Sequence, residues 1–244
     1  MAERKTKKKV TRVKGGKGSA AEAKFVPTDE SRKKSKMLRV FAWISFIVAI
    51  GFEVGAIFAL RESPVNMTEL IILIALTLVF AVVGSQLWKK ANRLDPASEK
   101  NKFKFFVQNQ LGLIIAVIAF LPLVILIFTN KNLKGKQKGL LGAISIGALF
   151  IASLTGVDFN PPSQEQYLEQ TQQVEMLNNG RNFVYWTKYG SSYHIYEDCS
   201  YINTDRTTEL FEGTVAQARE LKNITDLCDR CEASAIREKA EAGE

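Results

Sequence analysis

All three cysteines and the single histidine of this 244-residue chain fall between positions 194 and 231: His194, Cys199, Cys228 and Cys231. A random scatter along the chain would rarely gather them. Thiolate sulfur and imidazole nitrogen are the ligands zinc prefers, four at a time in a tetrahedron. Cys228-Asp229-Arg230-Cys231 is a CxxC step, and its spacing lets two thiolates converge on one ion from a tight turn. His194 and Cys199, with four residues between them, supply the second pair. Four protein ligands close the shell, whereas a catalytic zinc keeps one position for water. The chemistry expected is therefore structural. With His194 committed to metal no histidine remains as a general base, and the adjacent Glu197 and Asp198 read as solvent-facing carboxylates. No catalytic set is identified, so an enzyme ranks last among the readings. The competing interpretation is a redox CxxC beside an unrelated histidine, or plain core cysteines. A thioredoxin-like CxxC needs a βαβ surround that this stretch lacks, and an odd cysteine count argues against a complete disulfide framework.

The elements that must position these ligands can be read locally. Residues 182–187 (NFVYWT) are aromatic and β-branched and predict a strand, residues 188–191 a turn, and residues 192–195 the returning strand. That hairpin carries His194 at its end and Cys199 in the next loop. Residues 214–222 (TVAQARELK) predict a helix, with Thr214 and Gln217 spaced as a capping box. The CxxC follows, then a final helix over 232–242. A module of residues 182–244 is small enough to need a staple, and zinc binding in such modules is strong enough to decide whether they fold.

Tyr193-His194, Cys199, residues 214–221 and the closing Cys228-Asp229-Arg230-Cys231 together resemble the zinc module of the Ada-type DNA alkylation-repair proteins. That family combines a two-ligand hairpin, a short helix and a closing CxxC, and related modules occur in bacterial proteins. In the repair proteins one ligand of the first pair is a cysteine that accepts a methyl group. The matching position here is His194, and the spacing to Cys199 is one residue longer. The resemblance therefore implies metal ligation by His194, Cys199, Cys228 and Cys231, and does not carry methyl transfer across. Tyr185, Trp186, Tyr189, Tyr193, Tyr196 and Tyr201 crowd the same region. Tyr185, Trp186, Tyr189 and Tyr196 are candidates for a recognition surface, because Tyr and Trp are common hot spots; the plainer reading makes these aromatics the small core.

The rest of the chain has a different character. Four apolar stretches, residues 37–60, 70–88, 105–129 (with Pro122 inside) and 140–156, each approach the length needed to cross a bilayer. Trp43 and Trp88 lie near the expected interfaces. The fold class expected is an α-helical membrane protein of about four spans with a small α+β zinc-binding C-terminal module. Residues 1–36 form a basic tail expected to be disordered, 37–156 the membrane domain, 157–181 a polar linker helix, and 182–244 the module.

Charge is unevenly spread. Residues 1–40 carry 14 Lys or Arg against 4 acidic residues, residues 41–156 carry 11 against 5, and residues 157–244 carry 8 against 16. The basic tail and the loop holding Lys89, Lys90, Arg93, Lys100, Lys102 and Lys104 predict a cytoplasmic N-terminus, and four spans return the C-terminus to the same side. Lys131, Lys134, Lys136 and Lys138 disagree, since this topology puts them outside. A re-entrant third segment would leave three spans and an external module. Free thiols favour the reducing side. The polar start does not read as a cleavable signal peptide.

Glu53 is the exceptional residue of the spans. An ionisable side chain in lipid usually faces the bundle interior and is a candidate polar site. It stands between Gly51 and Gly55, a GxxxG step suited to close helix contact. Three function classes follow. The first is a membrane-anchored zinc module that binds a cytoplasmic protein partner. The second is a small homo-oligomeric transporter or channel using Glu53. The third is a nucleic-acid-tethering membrane protein using the basic tail, which the acidic charge of the module itself disfavours.

Overall fold

A computed structural model describes residues 9–12, 27–222 and 224–243. The chain divides into two compact units: Arg32–Pro162, and the N-terminal segment up to Ser31 combined with Ser163–Glu244.

The first unit is helical: α1 (Asp29–Ala59), α2 (Met67–Leu94), α3 (Lys102–Asn109), α4 (Leu111–Thr129) and α5 (Gly135–Gly156). Helices α1, α2, α4 and α5 are long and apolar enough to cross a membrane. Helix α1 begins well before the expected position 37. Thr28 Oγ1 accepts the Ser31 amide, and Asp29 and Glu30 occupy the first turn, where carboxylates favour the helix N-terminus. Residues 29–36 of the expected tail are the first turns of α1, and residues 9–12 form strand β1 (Lys9–Arg12). The remainder of that tail lies outside the described residues.

The third apolar stretch is also divided differently. Residues 105–109 belong to α3, and the crossing helix starts at Leu111. The break is stabilised at the Gln108 carbonyl, which accepts from the Trp88 indole at 2.6 Å and from the Asn92 amide at 2.8 Å. These side chains satisfy a helix-end carbonyl that no intrahelical donor reaches. Around the same end of the bundle, Arg39 pairs with Asp95 at 2.8 Å and lies over the Trp88 ring. Two of the lysines that disagreed with the charge rule make local contacts. Lys138 Nζ donates to the Phe128 carbonyl, at the C-terminus of α4, and the Lys134 amide donates to Gln137 Oε1 at the start of α5.

The bundle core is Leu70, Ile74, Ala119, Phe120, Leu123, Ile127 and Leu141, with alanines at the crossings. Lipid removes most of the hydrophobic drive between helices, so close packing carries their association. That closeness is not at the expected GxxxG. A Cβ at Gly51 would meet nothing within 4 Å, and one at Gly55 would only touch Leu73 at 3.7 Å. Gly112 and Gly156 bring α4 and α5 backbone to backbone instead: a Cβ on Gly156 would lie 2.6 Å from the Gly112 carbonyl carbon.

The second unit contains α6 (Gln164–Leu177), β2 (Val184–Thr187), β3 (Ser192–Tyr193), β4 (Glu209–Gly213), α7 (Val215–Lys222), β5 (Asp226–Leu227) and α8 (Asp229–Ala242). One sheet has the order β1-β4-β2, parallel between β1 and β4 and antiparallel between β2 and β4; β3 and β5 make a second, parallel pair. Trp186 and Phe211 are register partners on β2 and β4 and stack at 6.2 Å, a cross-strand pair of the kind that holds small sheets.

Helix α6 is no mere spacer. Tyr167 and Val174 are buried, and Val174 joins Val184, Trp186, Tyr193, Val215, Ala218 and Ile224 in one core cluster. Arg219 of α7 ties it down. Its guanidinium sits 4.2 Å above the Tyr167 ring, donates to the Tyr167 carbonyl at 3.0 Å and reaches Gln170 Oε1 at 3.1 Å. The expected polar character of α6 is real, but its thin apolar stripe faces the module.

Candidate metal centre

The hairpin that presents His194 forms as a bridge between Tyr185 and His194, whose amides and carbonyls exchange two hydrogen bonds of 2.7 Å. The chain then turns through a tight loop in which the Cys199 amide donates to the Tyr196 carbonyl. The second pair sits at the start of α8. Cys228 is the N-cap, and its amide donates to the Tyr193 carbonyl at 2.9 Å, which fixes the CxxC turn against the hairpin. Cys231 then lies in the first turn of the helix. Upstream, the expected capping box of α7 is present: Gln217 Oε1 accepts from the Thr214 amide at 2.8 Å and Thr214 Oγ1 accepts from the Gln217 amide at 3.2 Å.

These elements bring His194, Cys199, Cys228 and Cys231 together as one buried group, with one ligand atom from each and all four atoms within 4.8 Å of one another. Cys199 Sγ and Cys228 Sγ are 4.0 Å apart, and Cys231 Sγ is 3.6 Å from His194 Nδ1. Tetrahedral ligation with metal–sulfur bonds of about 2.3 Å and metal–nitrogen bonds of about 2.0 Å requires ligand–ligand edges of roughly 3.5 to 3.8 Å. The His194–Cys231 edge falls in that range, the Cys199–Cys228 edge is slightly longer, and all four atoms stay within 4.8 Å. The separations are far too long for a disulfide, whose sulfurs lie at about 2.05 Å, and the three cysteines are free thiols.

The electrostatics suit a metal more than an empty core. Burial lowers the His194 pKa from its ordinary 6.5, so the ring is neutral and its Nδ1 lone pair is available near pH 7. Burial pushes the Cys231 thiol up to about 12, although the backbone amides of Tyr196 and Ile195 hydrogen-bond its sulfur and act in the opposite direction. A cation among the sulfurs would replace that proton, and the two amides would then stabilise the thiolate.

The aromatic candidates separate by burial. Trp186 and Tyr193 are fully buried in the core, so Trp186 cannot belong to a recognition surface. Tyr185 and Tyr196 pack partly buried against the cluster that contains the cysteines, while Tyr189 and Tyr201 are exposed. Glu197 and Asp198 are exposed, as expected. A cavity of about 280 Å³ opens beside the metal ligands, with Cys199 and Cys231 in its wall and Tyr196, Asp198, Arg230 and Glu238 around it. No pattern in the sequence pointed to this cavity, because its lining comes from the loop before Cys199 and from one face of α8.

Glu53 stands apart in the other unit. It is 4% exposed on the inward stripe of α1 that also carries Ala49 and Ala56, and its Oε1 has no hydrogen-bond partner among the described residues. Ser145 of α5 likewise buries an unpartnered hydroxyl.

No protein family, no curated protein and no solved structure matches this chain.

Proposed function

We propose that this protein is a membrane-anchored zinc module in which a structural zinc, held by His194, Cys199, Cys228 and Cys231, stabilises a cytoplasmic platform for a protein partner. The observation that carries the reading is the convergence of four buried ligand atoms within 4.8 Å of one another. Three sulfurs and one imidazole favour zinc over hard cations such as calcium or magnesium, which prefer oxygen. The closed ligand set favours a structural role over a catalytic one, and the likeness of the ligand pattern to Ada-type modules agrees with it.

A cytoplasmic position for both ends is supported by two independent observations. Loop charge orients the N-terminus inward. Strand β1 precedes the first apolar helix and β4 follows the last, and their pairing favours both ends on one side and an even number of crossings.

The test is zinc content of the purified full chain, with His194→Ala and Cys228→Ala. One zinc per chain, lost in both variants together with protease resistance of the region after Ser163, is expected. A zinc-free wild-type chain with the same protease resistance overturns the reading and reopens thiol chemistry at Cys228 and Cys231.

The transporter reading keeps one observation in its favour, the buried and unpartnered Glu53 carboxyl. It calls for an oligomer, since four helices make a poor pore alone. Unchanged ion flux through liposomes carrying Glu53→Gln would dispose of it.

A further inference from the structure

Helix α3 (Lys102–Asn109) reads KFKFFVQN and is far too short to cross a bilayer, which takes about 20 residues. It lies between α2 and α4, two of the four helices long enough and apolar enough to do so. Asn101 Oδ1 caps it, accepting from the Lys104 amide at 3.0 Å. At its other end the Gln108 carbonyl accepts from Trp88 Nε1 and Asn92 Nδ2, and Gln108 Nε2 donates to Asn92 Oδ1 at 3.4 Å. These bonds to α2 fix which face of α3 meets the bundle. At about 100° per residue, Phe105, Gln108 and Asn109 share that face. Asn109 is buried, and Phe105 and Gln108 are partly so.

The opposite face is apolar and uncovered. Phe103 is 79% exposed and Phe106 is 56% exposed, with the half-buried Val107 beside them. Lys102 and Lys104, both exposed, fall on the two borders of this apolar sector. Turning the phenylalanines inward would rotate α3 by about half a turn and break the bonds at Gln108. An apolar sector edged by lysines suits a helix that lies in the plane of the bilayer interface. The rings enter the boundary between headgroups and acyl chains, and the lysine stems carry their ammonium groups back to the phosphates. Other aromatic rings are exposed at the same end of the bundle. Phe159 is 80% exposed and follows Asp158, whose carbonyl accepts from Gln110 Nε2 at the start of α4. Trp43 meets Trp88 edge-on at 5.9 Å and is also exposed. Aromatic side chains collect at the membrane–water boundary.

Charge complements that position. Lys90, Lys100, Lys102 and Lys104 are all exposed in this stretch, against the two acids Asp95 and Glu99, and Asp95 is held by Arg39. We infer that the outer face of α3 is a binding site for an anionic phospholipid, with Phe103 and Phe106 among its acyl chains and Lys102 and Lys104 at its phosphate. A zwitterionic lipid offers the same chains without net charge, so the lysines give the site its headgroup preference. This site lies beyond the zinc reading, and its occupancy does not depend on the metal.

The experiment uses the full chain in detergent, mixed with lipids brominated on their acyl chains. Trp88 bonds to Gln108 and Trp43 packs on Trp88, so bromine held at α3 quenches fluorescence close by. Trp186, buried in the core of the other unit, gives a constant background. Brominated phosphatidylglycerol is titrated against brominated phosphatidylcholine. Wild type is expected to favour the anionic lipid by at least about fivefold, and Lys102→Gln with Lys104→Gln should bring that preference below about twofold. Lys131→Gln with Lys136→Gln makes the same charge change at exposed positions beyond the far end of α4 and should leave the preference intact. Phe103→Gln with Phe106→Gln should weaken binding of the anionic lipid by at least about fivefold, because two inserted rings are lost. Inorganic phosphate at the lipid concentration should not displace it. All six altered side chains are exposed, so the fold withstands their replacement.

Equal affinity of wild type for the two lipids overturns the inference. So does a preference that survives the change at Lys102 and Lys104, or one that falls equally with the change at Lys131 and Lys136. Displacement by inorganic phosphate would reveal a plain anion site, and unaltered affinity in the phenylalanine variant would rule out an inserted helix; either result also overturns it. Zinc is measured on the same samples, and a zinc-free chain that keeps the lipid preference would mark failure of the metal reading alone.

Discussion

Cys231 Sγ lies 3.6 Å from His194 Nδ1 although 37 positions separate them in the chain. Neither group carries a charge near neutral pH without a metal. Burial holds the thiol proton on Cys231, whose pKa is pushed up to about 12, and keeps the proton off His194, whose pKa is lowered. Metal binding must expel the Cys231 proton, so the metal-free state binds more protons and acid favours it. Zinc affinity is expected to fall by at least about tenfold for each unit of pH lost around neutrality, one proton being displaced per thiolate formed. Competition with a chelator at pH values one unit apart measures this. Without metal the signs differ by group. The folded His194 pKa is depressed, so its contribution to stability is present above 6.5 and lost as pH falls below it. The folded Cys231 pKa is raised, so its contribution is complete below 9.0 and lost as pH rises toward about 12. The metal-free module should be most stable between these limits, and chemical unfolding of the chelated chain across that range checks the shape.

Arg219 is one of the residues that bind α6 to the module, beside Val174 in the core and Gln173, which donates to Glu232 Oε1. Arg219→Ala removes a stacked cation and the donor to the Tyr167 carbonyl from a buried position. The expected cost is about 2–4 kcal/mol, the sum of a desolvated cation–π contact and a charged hydrogen bond. Faster hydrogen exchange across Gln164–Leu177, with zinc retained, is the signature. Unchanged exchange in α6 would mean that Val174 and Tyr167 hold the helix without it.

Gly156 and Gly51 differ although both are glycines of crossing helices. Gly156→Ala drives a methyl into the Gly112 backbone, where nothing flexible can yield. It should destabilise the bundle by about 1–3 kcal/mol, the usual range for overpacking. Gly51→Ala meets open space and should be neutral or slightly stabilising, since alanine is the better helix former. Thermal unfolding in detergent compares them, and equal effects would contradict the α4–α5 contact.

Glu53→Leu replaces a buried carboxyl that has an unpartnered oxygen with an apolar side chain of similar size. Removing an unpaired buried polar group is expected to raise the thermal midpoint of the purified chain, while Glu53→Gln keeps a polar group there and should not. A lower midpoint for Glu53→Leu would show that the carboxyl is fully paired in the working protein, by an oligomeric neighbour or a bound ion.

The grouping of His194, Cys199, Cys228 and Cys231 was legible in the sequence because thiols and imidazole are chemically rare, and the structure brings the four together as a candidate metal centre. The four helices long and apolar enough to cross a membrane were legible as long apolar runs, and the capping box at Thr214 and Gln217 because it is local. The tertiary structure alone decided what depends on partners distant in the chain. It buried Trp186 as core, moved α6 into the module through Val174, Gln173 and Arg219, set the close helix contact at Gly112 and Gly156, and paired β1 with β4. A GxxxG spacing says only that two glycines share a helix face, and whether another backbone meets that face depends on every other helix. A lysine-rich stretch says only that it buries little by itself; the pairing of four of its residues with β4 depends on a strand at the far end of the chain.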